Sequence, residues 1–121
     1  MRVHETQRHL CSELVSVTCA DGDGWWHSVP GNLEEIEEWS AVVLTDARIL
    51  PGTKVRVRCE TNQLKGVVES CTRDELGYLV KVRLDADSRW SERWFTPQHL
   101  LALNAKFFRA KVFPRAAASG Y

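Results

Sequence analysis

Alternating apolar and polar residues mark the middle of the chain. Between residues 54 and 60, two valines and a cysteine alternate strictly with charged residues, which is the period-two pattern of a strand with one buried face. The same alternation runs through residues 78–84, and β-branched apolar segments at 13–18 and 40–45 suit two further strands. A Pro-Gly pair and short polar segments lie between the strands. Short strands joined by tight turns predict a small antiparallel barrel.

The period of the pattern changes near the C-terminus. Thr96 suits a helix N-cap and Pro97 suits the first helical position. Apolar residues then recur at helical spacing until Pro114, namely Leu100, Leu101, Leu103, Phe107 and Phe108. We therefore predict one C-terminal α-helix that closes the barrel. The predicted organisation is an N-terminal arm over 1–12, a barrel with its helix over 13–112 and a flexible tail over 113–121.

Composition fits one domain, because 121 residues that are 44% hydrophobic and include five tryptophans can form a core without metals or disulfides. Basic and acidic residues both number 16, and this zero net charge disfavours nucleic acid as a partner. The charges are nevertheless polarised. Residues 13–47 contain acids and no lysine or arginine, and no acid follows Glu92. The basic late part of one copy could contact the acidic early part of another, so a salt-sensitive homodimer is an alternative.

The chemistry-bearing residues show no enzyme or metal signature. The four cysteines have no C-x-x-C spacing, and the histidines are scattered, so we predict reduced thiols, no metal site and no cofactor. Motifs of hydrolases and nucleotide-dependent enzymes are missing, which favours a non-catalytic protein. The sequence begins without the apolar segment of a signal peptide and has no long apolar run. We expect a cytoplasmic protein without a membrane span.

The layout resembles the PilZ family, bacterial domains that generally bind cyclic di-GMP and transmit the signal to a partner. The resemblance covers about residues 8–103. It rests on an arginine-containing segment before the first strand, on the closing helix, and on the segments NLEEIEEWSAVVL (32–44), LPGTKVRV (50–57), GVV (66–68) and GYLVKV (77–82). It implies a mainly β protein, with a small antiparallel barrel and one C-terminal α-helix, that acts in signal transduction.

The nucleotide-binding motifs of that family are altered here. In the R-x-x-x-R motif, two guanidinium groups can hold phosphates and stack on guanine. Arg8 keeps the first position, and Ser12 occupies the second. The D/N-x-S-x-x-G motif corresponds to Glu35, Glu37 and Ser40, which add negative charge and a side chain where the family has glycine. The resemblance therefore implies a degenerate site with weak or no cyclic di-GMP binding.

Tryptophan and arginine supply the candidate partner surface, because these two residue types dominate interface hot spots. The competing interpretation is that the aromatic residues of segment 89–95 cover one barrel end, with the arginines solvated. The candidate partner-binding residues are Trp25, Trp26, Trp39, Arg89, Trp90, Arg93 and Trp94.

The amino-acid sequence leaves three hypotheses about the function. The leading hypothesis is a degenerate PilZ-like adaptor that recognises a protein partner. The second is a divergent cyclic di-GMP receptor in which Arg8 acts with Arg89 or Arg93. The third is a small barrel that binds nucleic acid.

Overall fold

The computed structural model describes residues 8–20, 23–91, 93–94, 96–99 and 101–102. The elements, in chain order, are β1 (His9–Ala20), β2 (Trp26–Glu37), β3 (Ser40–Thr45), β4 (Lys54–Cys59), β5 (Asn62–Asp74), β6 (Gly77–Leu84), a 3-10 turn (Ala86–Ser88) and β7 (Leu101–Ala102).

The first six strands form a closed antiparallel barrel. Their order around the barrel is β2-β3-β6-β5-β4-β1, and pairing of β1 with β2 closes the circle. The prediction of a mainly β protein built on a small antiparallel barrel is thus confirmed. Closure matters because it pairs the main-chain groups that an open sheet would leave unpaired at its edges.

The barrel is filled by the inward-facing apolar side chains of all six strands. In β4 the buried residues Val55, Val57 and Cys59 alternate with exposed basic residues, as the sequence pattern predicts. Leu33, Leu64 and Val17 are among the largest fully buried side chains. The polar side of each strand is left for the outer surface, where the charges lie.

Bulges interrupt this alternation in three strands. The register shifts between Leu10 and Glu13 in β1, between Leu33 and Glu35 in β2, and between Val68 and Ser70 in β5. A bulge places an extra residue in one strand and changes which side chains face inward. Glu13, the first residue after the β1 bulge, is buried because it continues the inward alternation of Val15, Val17 and Cys19.

The first residues of the predicted C-terminal helix are not helical. Leu101 and Ala102 pair instead with Leu10 and His9 of β1. The start of β1 extends past its neighbour β4 and therefore offers unpaired main-chain groups, which a short strand satisfies. The helical prediction from Thr96 was wrong over this stretch. The remainder of that helix, from residue 103 onward, and the predicted tail lie outside the described residues.

β1 begins at His9, earlier than the barrel start predicted at residue 13, because His9 and Leu10 already pair with Ile36 and Glu35 of β2. The rest of the predicted N-terminal arm, residues 1–7, also lies outside the described residues. Within the described chain, no helix has the length and apolar character needed to cross a membrane.

Candidate functional site

The antiparallel strands give the barrel two ends, and half of the sequence-predicted site residues fall at one of them. That end contains the start of β1, the turn between β2 and β3, and the segment that follows β6. We call it the acidic end, and it comprises Arg8, Glu35, Glu37, Glu38, Trp39, Ser40 and Arg89.

Residues that the PilZ resemblance assigned to two different motifs are neighbours at this end. Leu10 pairs with Glu35 in the β1–β2 ladder, and the Arg8 Nε lies 3.8 Å from the Glu35 Oε1. Ser40 donates a hydrogen bond from its hydroxyl to the Glu37 carboxylate at 2.7 Å. Ser12 is not part of this cluster, because its hydroxyl contacts the side chain of Asn32. The structure therefore brings together four of the five motif positions, in two separate pairs.

The acidic end is poorly suited to a phosphate group. A bound phosphate would compete with Glu35 for Arg8, and it would lie near further carboxylates. Each close like-charge contact costs about 1 kcal/mol in water and about 4 kcal/mol near a protein surface. The Arg8–Glu35 pair is partly exposed to solvent, so it supplies little stability of its own.

A tryptophan, an arginine and a glutamate form an ordered stack at the β2–β3 turn. The Arg89 guanidinium lies 5.0 Å from the ring centroid of Trp39, and its Nη1 lies 3.3 Å from the Glu38 Oε2. Main-chain hydrogen bonds hold the two segments together: Leu84 donates to the Trp39 carbonyl, and Trp90 donates to the Glu38 carbonyl. We call Glu38, Trp39 and Arg89 the Trp39 stack. Its indole remains 43% exposed.

Trp90 differs from the other tryptophan candidates. It is only 4% exposed and belongs to the core cluster, with its ring edge-on to His9 at a centroid distance of 5.2 Å. Trp90 therefore covers the core, as the competing interpretation of this segment held, and is not part of an exposed surface. Arg93 and Trp94 follow it and are exposed.

Trp25 and Trp26 lie at the opposite end of the barrel, where β1 turns into β2. They are 74% and 44% exposed. The Arg56 guanidinium stacks over the Trp26 ring at 4.5 Å. The seven partner-binding candidates are therefore divided between two ends and the core, and they cannot form a single surface.

Comparison with known protein families, characterised proteins and solved structures finds no match. The function of this chain must therefore be argued from its own surface.

Cys11 and Cys59 are poor nucleophiles. Burial, with smaller contributions from neighbouring acidic groups, raises the pKa of both Cys11 and Cys59 to about 12. Both thiols are thus protonated at neutral pH, whereas a catalytic cysteine needs its thiolate form. In the described residues, no group of three or more histidine, cysteine or acidic side chains could hold a metal ion.

Two features were missed by the sequence reasoning. Glu13 sits inside the barrel wall and accepts a hydrogen bond from the Gln98 main-chain N–H at 2.9 Å, which ties the segment after Trp94 to β1. Glu13 continues the inward alternation of Val15, Val17 and Cys19, so the pattern was present in the sequence, but a charged residue at that position was not recognised as buried. The second feature is a concentration of positive charge on β4, β5 and β6. The sequence shows lysines and arginines at alternate positions of these strands, but the order of the strands in the barrel decides whether they lie together.

Proposed function

We propose that this chain is a PilZ-like, non-catalytic adaptor of bacterial cytoplasmic signalling, which binds a protein partner at its acidic end and binds cyclic di-GMP weakly or not at all. The observation that carries the proposal is the Trp39 stack, a half-exposed indole with an arginine held against it by a glutamate.

This arrangement has the chemistry of a protein interface. Tryptophan and arginine are enriched among hot-spot residues because they bury a large area and make directional contacts. Arg89 is held in place by Glu38 and Trp39, so less side-chain entropy is lost when a partner binds. A partner that places an apolar side chain on the indole and a polar group beside the guanidinium would fit this surface.

The same end argues against cyclic di-GMP as the principal ligand. Arg8 lies 3.8 Å from Glu35, so the one arginine retained from the family motif is already engaged by a carboxylate. The substituted carboxylates oppose the phosphates that the family binds. A barrel that keeps this layout while losing the anion site suits an adaptor better than a receptor.

The first experiment is calorimetric titration of the full chain with cyclic di-GMP, repeated with Arg8→Ala. We expect no saturable heat for either protein. Micromolar binding that is lost in Arg8→Ala would overturn the adaptor proposal and assign a receptor function.

The second experiment places a photo-crosslinking amino acid at Ser91, an exposed residue close to Arg89 in the chain. We expect a discrete crosslinked product in cells that is lost when Trp39→Ala or Arg89→Glu is added. The matched control carries the crosslinker at Thr72, which is exposed on β5. Identical products from both positions, unaffected by either substitution, would contradict a specific interface at the Trp39 stack.

A further inference from the structure

The outer surface of three neighbouring strands carries a dense group of cations. β4, β5 and β6 are adjacent in the barrel. Their exposed basic side chains, which we call the basic face, are Lys54, Arg56, Arg58, Lys65, Lys81 and Arg83. This surface lies outside the acidic end and takes no part in the proposed adaptor function.

The strand register makes the basic face compact. Arg56 lies directly opposite Lys65, and Val67 lies between Lys54 and Arg83 in one row across the three strands. With about 4.8 Å between strands and about 3.4 Å per residue along them, Lys54, Arg58 and Arg83 bound an area of roughly 10 by 14 Å. Like charges placed directly opposite each other destabilise a sheet. The arrangement thus has a cost in stability that an anionic ligand would offset.

The described chain places two exposed carboxylates beside these six cations, Glu69 in the β5 bulge opposite Lys81 and Asp87 after β6. Lys65 lies 3.6 Å from Asp87, and both side chains are substantially exposed. No ion pair with a described residue is found for Lys54, Arg58 or Arg83.

Two carboxylates of the acidic end are already engaged in ion pairs within the chain, Glu35 with Arg8 and Glu38 with Arg89. Glu37 accepts a hydrogen bond from the neutral Ser40 hydroxyl and keeps its charge. Negative charge supplied by another molecule would complement the basic face.

An aromatic platform adjoins the basic face. Trp26 reaches across β1 to Arg56, whose guanidinium lies over its ring, and nearly half of the Trp26 surface remains exposed. The β1 residues opposite Arg56 and Arg58 are Thr18 and Ser16, which are short and polar. An aromatic ring beside a row of cations is the combination by which proteins bind single strands, because bases stack on the ring while cations contact the phosphates.

We propose that the basic face and Trp26 together bind single-stranded nucleic acid. The zero net charge of the chain disfavoured such a partner on sequence grounds. The fold changes that expectation, because it gathers cations from β4, β5 and β6 on one wall and places the β2 carboxylates elsewhere. Local charge density, rather than net charge, controls contacts within a Debye length of about 10 Å.

The test is fluorescence anisotropy of the full chain with labelled twelve-nucleotide oligo(dT) and oligo(U) between 50 and 200 mM salt. We expect binding that weakens steeply with salt, with a log–log slope of about −3 if four phosphates are contacted. Lys54→Glu with Arg58→Glu should weaken binding at least tenfold, and Trp26→Ala should weaken it about tenfold.

The matched control is Arg73→Glu, a like charge reversal placed eight residues beyond Lys65 on β5, or roughly 25 Å along the strand. This variant should bind within twofold of the unmodified chain. Arg89→Glu should also leave oligonucleotide binding unchanged, which separates this proposal from the adaptor function.

Three outcomes would overturn the proposal. The first is binding that does not depend on salt or that falls equally in the Arg73→Glu control. The second is capture of the chain by phosphatidylserine vesicles without oligonucleotide binding, which would assign the surface to lipid. The third is self-association that the Lys54→Glu and Arg58→Glu substitutions abolish, again without oligonucleotide binding.

Discussion

Gly66 is the position where a single added carbon should disturb barrel closure most directly. It lies in β5 between Val55 of β4 and Leu84 of β6. A Cβ at this position would lie 2.2 Å from the Arg83 carbonyl oxygen and 2.7 Å from the Val82 Cγ1. Since ordinary contact begins at 3.4 Å, the β5 and β6 backbones must separate by about 1 Å in Gly66→Ala.

The expected loss of stability follows from these contacts. Overpacking of this kind costs about 1–3 kcal/mol, and each ladder hydrogen bond that is weakened adds up to about 1 kcal/mol. Alanine recovers about 0.4–1 kcal/mol by restricting the unfolded chain. We therefore expect Gly66→Ala to lower the free energy of unfolding by about 3 kcal/mol and the Tm by about 10 °C.

The assay is urea unfolding followed by tryptophan fluorescence, with Gly52→Ala as the control. No atom lies within 4 Å of a Cβ at Gly52, but its φ of +90° strains any other residue. Gly52→Ala should lower the free energy of unfolding by about 1 kcal/mol, because only its backbone conformation is unfavourable. If Gly66→Ala proves no more damaging than Gly52→Ala, the close approach of β5 and β6 is not a determinant of stability.

Three further outcomes are expected. Glu60 has a φ of 58° in the β4–β5 turn, so Glu60→Gly should raise the free energy of unfolding by up to about 1 kcal/mol in urea melts, and a decrease would contradict this strain. Cys11 and Cys59 have a raised pKa in the folded chain, so stability should be retained below pH 9 and fall as the pH rises towards 12; both thiols should react slowly with iodoacetamide at pH 8 until urea is added. Arg8→Ala should change stability by less than about 1 kcal/mol, because its pair with Glu35 is partly exposed, and a larger loss would show a structural role.

The barrel could be anticipated from sequence because its strands carry the alternation that a one-sided core requires. β4 is the clearest case, since every second residue is buried as the pattern indicates. The C-terminal prediction failed for a physical reason. Leu101 belongs to a spacing that suits a helix, but the start of β1 has no β4 residues beside it and offers main-chain hydrogen bonds to a strand on that side. The sequence around Leu101 does not show that the start of β1, which is far away in the chain, needs a partner strand.

Only part of the candidate site could be predicted, because strand pairing and burial depend on residues that are distant in the chain. The PilZ resemblance assigned Arg8 and Glu35 to two different motifs, and their contact in the structure depends on the β1–β2 register, which the sequence does not give. Trp90 and Trp39 were equally good candidates because both are tryptophans, but Trp90 is buried and Trp39 is exposed. Composition identifies residues able to form a hot spot, whereas burial decides which of them a partner can reach.

Strand order also explains how a chain with no net charge can present two different surfaces. Glu35 near the end of β2 pairs with Arg8, and Glu38 in the turn that follows β2 pairs with Arg89. The cations come from three strands that are separated along the chain but adjacent in the barrel. Folding therefore brings these like charges close together, and an anionic ligand would reduce their repulsion. A partner protein at the acidic end and a nucleic acid at the basic face would consequently use surfaces that can be altered independently.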